Sequence, residues 1–307
     1  MIIIIHENNE WIEPFETALK KLEKEYRIWY VPEMSLDMSS TPPEAVYWNR
    51  MSASSHTRGH RYTPELVAGI LSWLERHGRT VVNGPKALDL EISKMRQYQE
   101  LEKLGIQTPK TFCAIEKNQL LAGAEQIGFP LITKHNRAGK GLGVMKFDNK
   151  EALKDYLYGG YFDESPDGVT LLQEYIASPT QSIFRMEFVN GKFLYCVEVD
   201  TSQGFELCPA EACELESNCP TGEYEKFRIR EDFLVPNIDA YEKFLAENDI
   251  GIAGIEIIFD DNGEYWTYDV NTNTNYNPQA EAAANQSAPE EIARYLSLLN
   301  RTPNLVY

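Results

Sequence analysis

Apolar positions recur along the chain with two periods, and the switches between them predict its elements. Ile2 to Ile5 is a short, wholly apolar run, as required of a strand covered on both faces in a parallel sheet. Glu13 to Lys24 places Phe15, Ala18, Leu19 and Leu22 on one stripe with charges elsewhere, which predicts an amphipathic helix. Arg27 to Val31 and Ala45 to Trp48 read as further strands. Pro64 to His77 reads as a helix opened by Thr63 and Pro64 and closed by Gly78. Together these predict an α/β lobe of the open-sheet type.

Val81 to Pro85 is a strand running into a turn, and Ala87 to Leu104 is expected as one long helix ending at Gly105, with Lys94 inside it. A helix at Leu120 to Gly128 precedes strands at Phe129 to Lys134, Val144 to Phe147 and Leu171 to Ile176. Ile183 to Val189 and Lys192 to Val199, joined by Asn190 and Gly191, predict a hairpin with Arg185 and Glu187 on one face. Gln203 to Arg230 is expected to be irregular and acidic. A helix at Asn237 to Asn248 leads into a second hairpin, Ile252 to Phe259 and Glu264 to Asn271, turned by Asp260 to Gly263; Pro289 to Leu299 is the closing helix. The expected lobes are residues 1–90, 91–172 and 173–307.

Composition narrows the partners. Hydrophobic content of 43% and charged content of 25% over 307 residues are those of a soluble globular protein. A net charge of -18 lacks the basic footprint that nucleic acid requires, and points to a small molecule or a protein. The opening MIIIIHENNEW is expected to be neither signal peptide nor anchor, and no apolar run approaches the ~18 residues of a membrane span. Five scattered cysteines predict reduced thiols in the cytoplasm; Cys208, Cys213 and Cys219 cluster without zinc-site spacing.

Three stretches carry candidate chemistry. In the second hairpin, a turn with an even number of residues sets Glu256 opposite Thr267 or Asp269, so Glu256, Asp269 and Asn271 share a face and offer hard oxygen donors suited to Mg²⁺ or Mn²⁺. The alternative is the wet face of an ordinary hairpin. After the strand ending at Lys134, Gly139, Lys140, Gly141 and Gly143 form a loop able to offer N–H groups to phosphate, or a plain glycine-rich hairpin; joining strand to strand, it is neither a dinucleotide fingerprint nor a Walker loop. The loop Asn49 to Tyr62 concentrates Arg50, Arg58 and Arg61 with His56 and His60. It is suited either to an anionic substrate group or to local acids and a subunit interface.

In this order the pieces resemble the ATP-grasp ligases, most closely the RimK-type glutamate ligases, from about Thr80 to Asn275. RTVVNGPKALDLEISKMRQYQELEKLGIQTP resembles the family's entry segment, whose lysine, here Lys94, contacts nucleotide phosphate. FPLITKHNRAGKGLGV resembles the strand whose lysine, here Lys134, binds ATP, followed by the glycine-rich lid. LLQEYI resembles the adenine hinge, here Gln173, Glu174, Tyr175 and Ile176. The acid followed by acid-x-Asn corresponds to Glu256, Asp269 and Asn271 as Mg²⁺ ligands.

The resemblance implies an ATP-grasp fold behind an open-sheet pre-ATP-grasp lobe. It implies an ATP-dependent carboxylate-amine ligase using two Mg²⁺ or Mn²⁺ ions and an acyl phosphate, with Arg185 neutralising charge and Lys134 assisting. Arg50, Arg58, Arg61 and Asn273 are the substrate candidates, and the partners are a small-molecule carboxylate and an amine, an amino acid or peptide; related ligases commonly form dimers or tetramers, which makes a homo-oligomer possible, while the sequence leaves the oligomeric state open. An inactive ATP-binding regulator and a small-molecule kinase are the alternatives. Two departures lie near the second-substrate pocket, Ile183 where the family usually has an acid and GFELCPAEACELESN where it tends to have a basic, glycine-containing stretch; Thr272-Asn273-Thr274-Asn275-Tyr276-Asn277, where the family has small residues and proline, marks a divergent subgroup.

Overall fold

The fold was obtained as a computed structural model that describes residues 1–139, 141–202 and 226–300. Lys140, the cysteines Cys208, Cys213 and Cys219, and the GFELCPAEACELESN stretch lie outside the described residues. β1 (Ile2–His6), β2 (Tyr26–Tyr30), β3 (Val46–Arg50) and β4 (Thr80–Val82) form a parallel sheet in the order β2-β1-β3-β4. The isoleucine run lies at its centre. Ile2 and Ile4 pack with Phe15, Ala18 and Leu19 of α1 (Glu13–Lys21) and with Ile292 and Leu296 of the closing helix. Ile3 and Ile5 pack with Val67, Ile70, Leu71 and Leu74 of α2 (Thr63–Arg76). Burial of each such side chain contributes roughly 1.5–3 kcal/mol.

The expected helix over Ala87 to Leu104 is two helices, α3 (Pro85–Glu91) and α4 (Lys94–Lys103). Ser93 makes the break: its backbone is extended and its hydroxyl accepts from the Arg96 N–H, capping α4. The Lys94 N–H bonds to the Asn136 carbonyl at 3.1 Å, so Lys94 opens a helix instead of lying within one.

A second sheet follows, built of β5 (Thr111–Ala114), β6 (Leu131–His135), β7 (Met145–Phe147) and β8 (Thr170–Glu174) in the order β5-β8-β6-β7, all antiparallel. Leu120 and Ala124 of α5 (Lys117–Ile127) and Leu153 and Leu157 of α6 (Lys150–Tyr158) cover one face of it.

The third sheet is antiparallel, in the order β11-β10-β9-β12-β13, with β9 (Ser182–Val189), β10 (Lys192–Asp200), β11 (Phe227–Arg230), β12 (Ile252–Phe259) and β13 (Tyr265–Asn271). β11 forms where an irregular segment is expected, because Phe227 and Ile229 join a small apolar cluster with Ile183 and Val199. Met186, Phe188, Ile255 and Ile257 face a core shared with Tyr98 and Leu101 of α4 and with Tyr241 and Phe244 of α7 (Ile238–Glu247). The period of two turns Ile183, Arg185, Glu256 and Ile258 the other way. α8 (Pro278–Ala283) and α9 (Ala288–Leu299) end the described chain.

The β12–β13 connection corrects the sequence argument. Its loop, residues 260–264, has an odd number of residues, and the Asp260 carboxylate accepts from the N–H groups of Asn262 and Glu264, each at 2.9 Å. The register Phe259 to Tyr265, Ile258 to Trp266, Ile257 to Thr267 would set Glu256 opposite Tyr268. A β-bulge between Glu256 and Ile257 on one side and Asp269 and Thr267 on the other absorbs one residue, so Glu256 lies opposite Asp269 after all. The parity that an even turn was expected to supply is supplied by the bulge.

Candidate active site

Between the second and third sheets lies a cavity of about 360 Å³, and the strand period gives it two levels. Ile132 and Lys134 come from β6, Ile183 and Arg185 from β9, Ile258 and Glu256 from β12, each pair two residues apart. Because Glu256 pairs with Arg185 and Ile257 with Phe184, Glu256 lies level with Arg185 and Ile258 with Ile183. Leu142, Val144, Tyr175 and Ile176 add to the apolar wall; Lys94, Asp269 and Asn271 add to the charged one.

The charged level is dense and dry. Lys94 Nζ bonds to Asp269 Oδ1 at 2.5 Å, with both side chains largely buried. Burial works to raise the Asp269 carboxyl, but the Lys94 and Lys134 ammonium groups outweigh it and hold it below the usual range. Lys134 is buried against the Tyr98 hydroxyl at 3.2 Å and the Tyr268 carbonyl at 2.9 Å, and burial lowers its pKa. Among the described residues no carboxylate forms an ion pair with it.

Arg185 is held on all sides. Its Nε donates to Glu187 at 2.6 Å, Nη1 to Glu256 at 3.1 Å and Nη2 to the Thr274 hydroxyl. A Cβ on Gly254 would stand 2.7 Å from Nε, so the guanidinium needs a glycine beneath it. Burial raises Glu256 despite Arg185, and pushes Glu187 up to about 7. The Asn271 amide donates to Glu256 at 3.4 Å. Two carboxylates and an amide oxygen on one wall form a hard-oxygen set that fits a magnesium ion in chemistry, with Lys94 and Arg185 now balancing its charge.

The hinge residues Gln173, Glu174, Tyr175 and Ile176 all line the cavity, with the Glu174 carboxylate accepting from the Lys110 N–H at 2.6 Å. Gly139 and Gly141 also line it. Gly143 does not: at φ 70° it packs on the His135 ring, where a Cβ would come within 2.3 Å. Asn273 lines the cavity as well.

The three candidate substrate arginines stand elsewhere, because each is consumed by the protein. Arg50, 2% exposed, donates to the carbonyls of Trp11 and Thr274 and to Asn275 Oδ1, with its guanidinium over Phe15. Arg58 pairs with the buried Glu7, which also meets His60 at 3.0 Å. Arg61 donates to the Pro166 carbonyl. Local pairing, the alternative use of this loop, is what the structure contains.

Sequence reasoning passed over Glu91, Trp11, Ser52, Ser54 and Tyr268, which also line the cavity. Glu91 accepts from the N–H groups of Ala53, Thr272 and Asn273 and from the Thr272 hydroxyl, tying the first lobe to the segment after β13. An acid in an apolar helical pattern was its one signal. Tyr268 had none, since the bulge alone turns it inward.

A family model for the RimK-like ATP-grasp domain matches residues 92–296. A D-alanine–D-alanine ligase of Pseudomonas entomophila is 26% identical over 196 residues, 62% of this chain and 57% of that protein, so the chain spans little more than half the length of this curated relative. A RimK-domain ATP-grasp protein of Sphaerobacter thermophilus superposes with a TM-score of 0.65 at 15% identity, over 97% of this chain and all of the other. The ATP-grasp ligase PsnB, in complex with a minimal precursor, Mg and ADP, superposes with a TM-score of 0.66 at 14% identity, over 98% and 97% of the two chains.

Proposed function

Since the chain belongs to the RimK-like ATP-grasp family, we propose that it is an ATP-dependent carboxylate-amine ligase working through an acyl phosphate. The observation that carries this reading is the two-level cavity, apolar at Ile132, Ile183 and Ile258 and ionic at Lys94, Lys134, Arg185, Glu256 and Asp269. It suits a molecule with a flat apolar base at one end and phosphates at the other.

Lys134 and Lys94 bind phosphate oxygens, replacing bulk water with fixed ammonium groups in a dry site. Gln173 to Ile176 and the apolar level receive the base. Glu256, Asp269 and Asn271 would hold magnesium ions, which when bound neutralise charge on the β- and γ-phosphates. The carboxylate substrate attacks the γ-phosphorus and releases ADP. Arg185, locked by Glu187, Glu256 and Thr274, is positioned without further ordering for the charge that develops. An amine then displaces phosphate to leave the amide.

We assign lobes at residues 1–90, 91–172 and 173–307, and a cytoplasmic setting that suits the free thiols Cys113 and Cys196; among the described residues no helix is long and apolar enough to cross a membrane. The test is hydroxylamine trapping with ATP, Mg²⁺ and a panel of amino acids and simple carboxylic acids. Hydroxamate formed in step with ADP supports the ligase reading. A stable phosphorylated product that ignores hydroxylamine would replace it with a kinase.

A further inference from the structure

The partners of Arg185 divide its guanidinium into an edge and a corner. Nε donates to Glu187 Oε1 at 2.6 Å, Nη2 donates to the Thr274 hydroxyl, and that hydroxyl donates to Glu187 Oε2 at 2.9 Å. Nε and Nη2 form one edge of the planar fork, so carboxylate, hydroxyl and guanidinium close a ring along it. Gly254 lies under the same edge, where a Cβ would stand 2.7 Å from Nε and 2.8 Å from Nη2. Glu187 and Thr274 are 1% and 2% exposed, and neither lines the cavity. The remaining corner, Nη1, is turned to a residue that does, Glu256. Glu256 Oε1 accepts from Nη1 at 3.1 Å and from the Asn271 amide at 3.4 Å, so this candidate metal ligand is already capped by two donors.

Resting on the ligase reading, we propose that Glu187 and Thr274 are positioning residues that let Glu256 exchange Arg185 for magnesium without loosening the guanidinium. A buried carboxylate and a buried guanidinium can part only if each keeps another partner, because an unpaired charge out of water is strongly disfavoured. Glu187 is that partner for Arg185. With Nε and Nη2 held along the far edge, Nη1 leaves Glu256 and is delivered to the charge that develops on the transferring phosphoryl group. Were Glu256 its sole anion, Arg185 would compete with the metal for that carboxylate. Metal affinity therefore depends on two side chains that touch neither metal nor nucleotide. Thr274 belongs to the segment 272–277 in which this chain departs from the family pattern.

The test is Mn²⁺ titration of the full chain with the non-hydrolysable ATP analogue AMPPNP at pH 8, with free Mn²⁺ read by electron paramagnetic resonance. Glu187→Gln keeps an acceptor for Nε but removes the anion, so Mn²⁺ affinity should fall roughly tenfold. Thr274→Val breaks the hydroxyl link without changing any charge and should lower the affinity about threefold. Thr274→Ser, which retains the hydroxyl, should restore it. Glu187→Gln within about twofold of wild type overturns the inference and reduces Glu187 to a brace of the fold, visible only as a lower melting midpoint. A loss in Glu187→Gln with none in Thr274→Val also overturns it, as the mark of charge acting through space. So does a Thr274→Val loss that Thr274→Ser shares, which would trace to packing. These results leave the nucleotide reading standing, whereas wild-type protein that binds no Mn²⁺ beyond what AMPPNP alone holds refutes the ligase reading on which the inference rests.

Discussion

Replacing Lys134 by methionine separates a functional cation from a structural one, because the two roles move stability in opposite directions. The ammonium group is buried, donates to the Tyr98 hydroxyl and the Tyr268 carbonyl, stands over the Tyr268 ring, and has its pKa lowered by burial against the partial support of Asp269 and Glu256. In the free protein the charge therefore costs stability at neutral pH. The cost is relieved as pH rises through the folded pKa toward the ordinary lysine value, where the unfolded chain holds the proton that the folded chain has shed. Methionine keeps the stem's volume, and the Tyr268 carbonyl retains the Tyr98 hydroxyl as a donor at 2.9 Å. Lys134→Met should be neutral to about 2 kcal/mol more stable by thermal or urea unfolding at pH 7, with a flatter stability curve as pH rises toward the ordinary lysine value. ATP turnover should fall ~100- to 1000-fold in kcat, the usual effect of removing one fixed charge from a phosphoryl-transfer site. ADP release by a coupled assay and melting by circular dichroism measure the two quantities. Turnover within threefold of wild type, or a clear loss of stability, would refute the reasoning.

Further substitutions test other parts of the site. Asp269→Asn should lower ADP release by ~100-fold and cost about 3 kcal/mol on unfolding, since Lys94 is left buried with a neutral partner; full activity would sink its assignment as a magnesium ligand. Arg58→Ala should destabilise by about 1–3 kcal/mol by leaving the buried Glu7 with His60 alone, while the Michaelis constants stay within twofold of wild type; a selective rise for one substrate would return Arg58 to the binding site. Gly143→Ala should cost about 1 kcal/mol or more, because a Cβ at φ 70° meets the His135 ring, and the loss should appear as a lower melting midpoint. Burial lowers His6 to about 4, so the unfolded chain takes up a proton that the folded one refuses as pH falls from about 6.5 to 4, and stability declines over that window; His6→Gln should flatten this acid limb in melts between pH 4 and 7.

The resemblance to the ATP-grasp ligases singled out Lys94 and Lys134; periodicity predicted the open parallel sheet, since four consecutive isoleucines are stable only between two apolar layers, and the hairpins that carry Arg185, Glu256, Asp269 and Asn271. What it could not carry was anything depending on a single-residue offset or on who occupies a charge. Ser93 divides the expected long helix because Asn136, 43 residues away, takes the Lys94 N–H. The arginines of the first lobe looked available until the fold brought Glu7 and the carbonyls of Trp11 and Thr274 against them. At the β12–β13 hairpin the side-chain period is two, so one extra loop residue would have turned Asp269 away from Glu256. The odd loop is real, and the face is restored by a bulge that no residue type in the strand announces, because a bulge is set by how two strands settle on the core beneath them. The sequence by itself chose the chemistry of that wall; the tertiary structure decided that its donors point the same way.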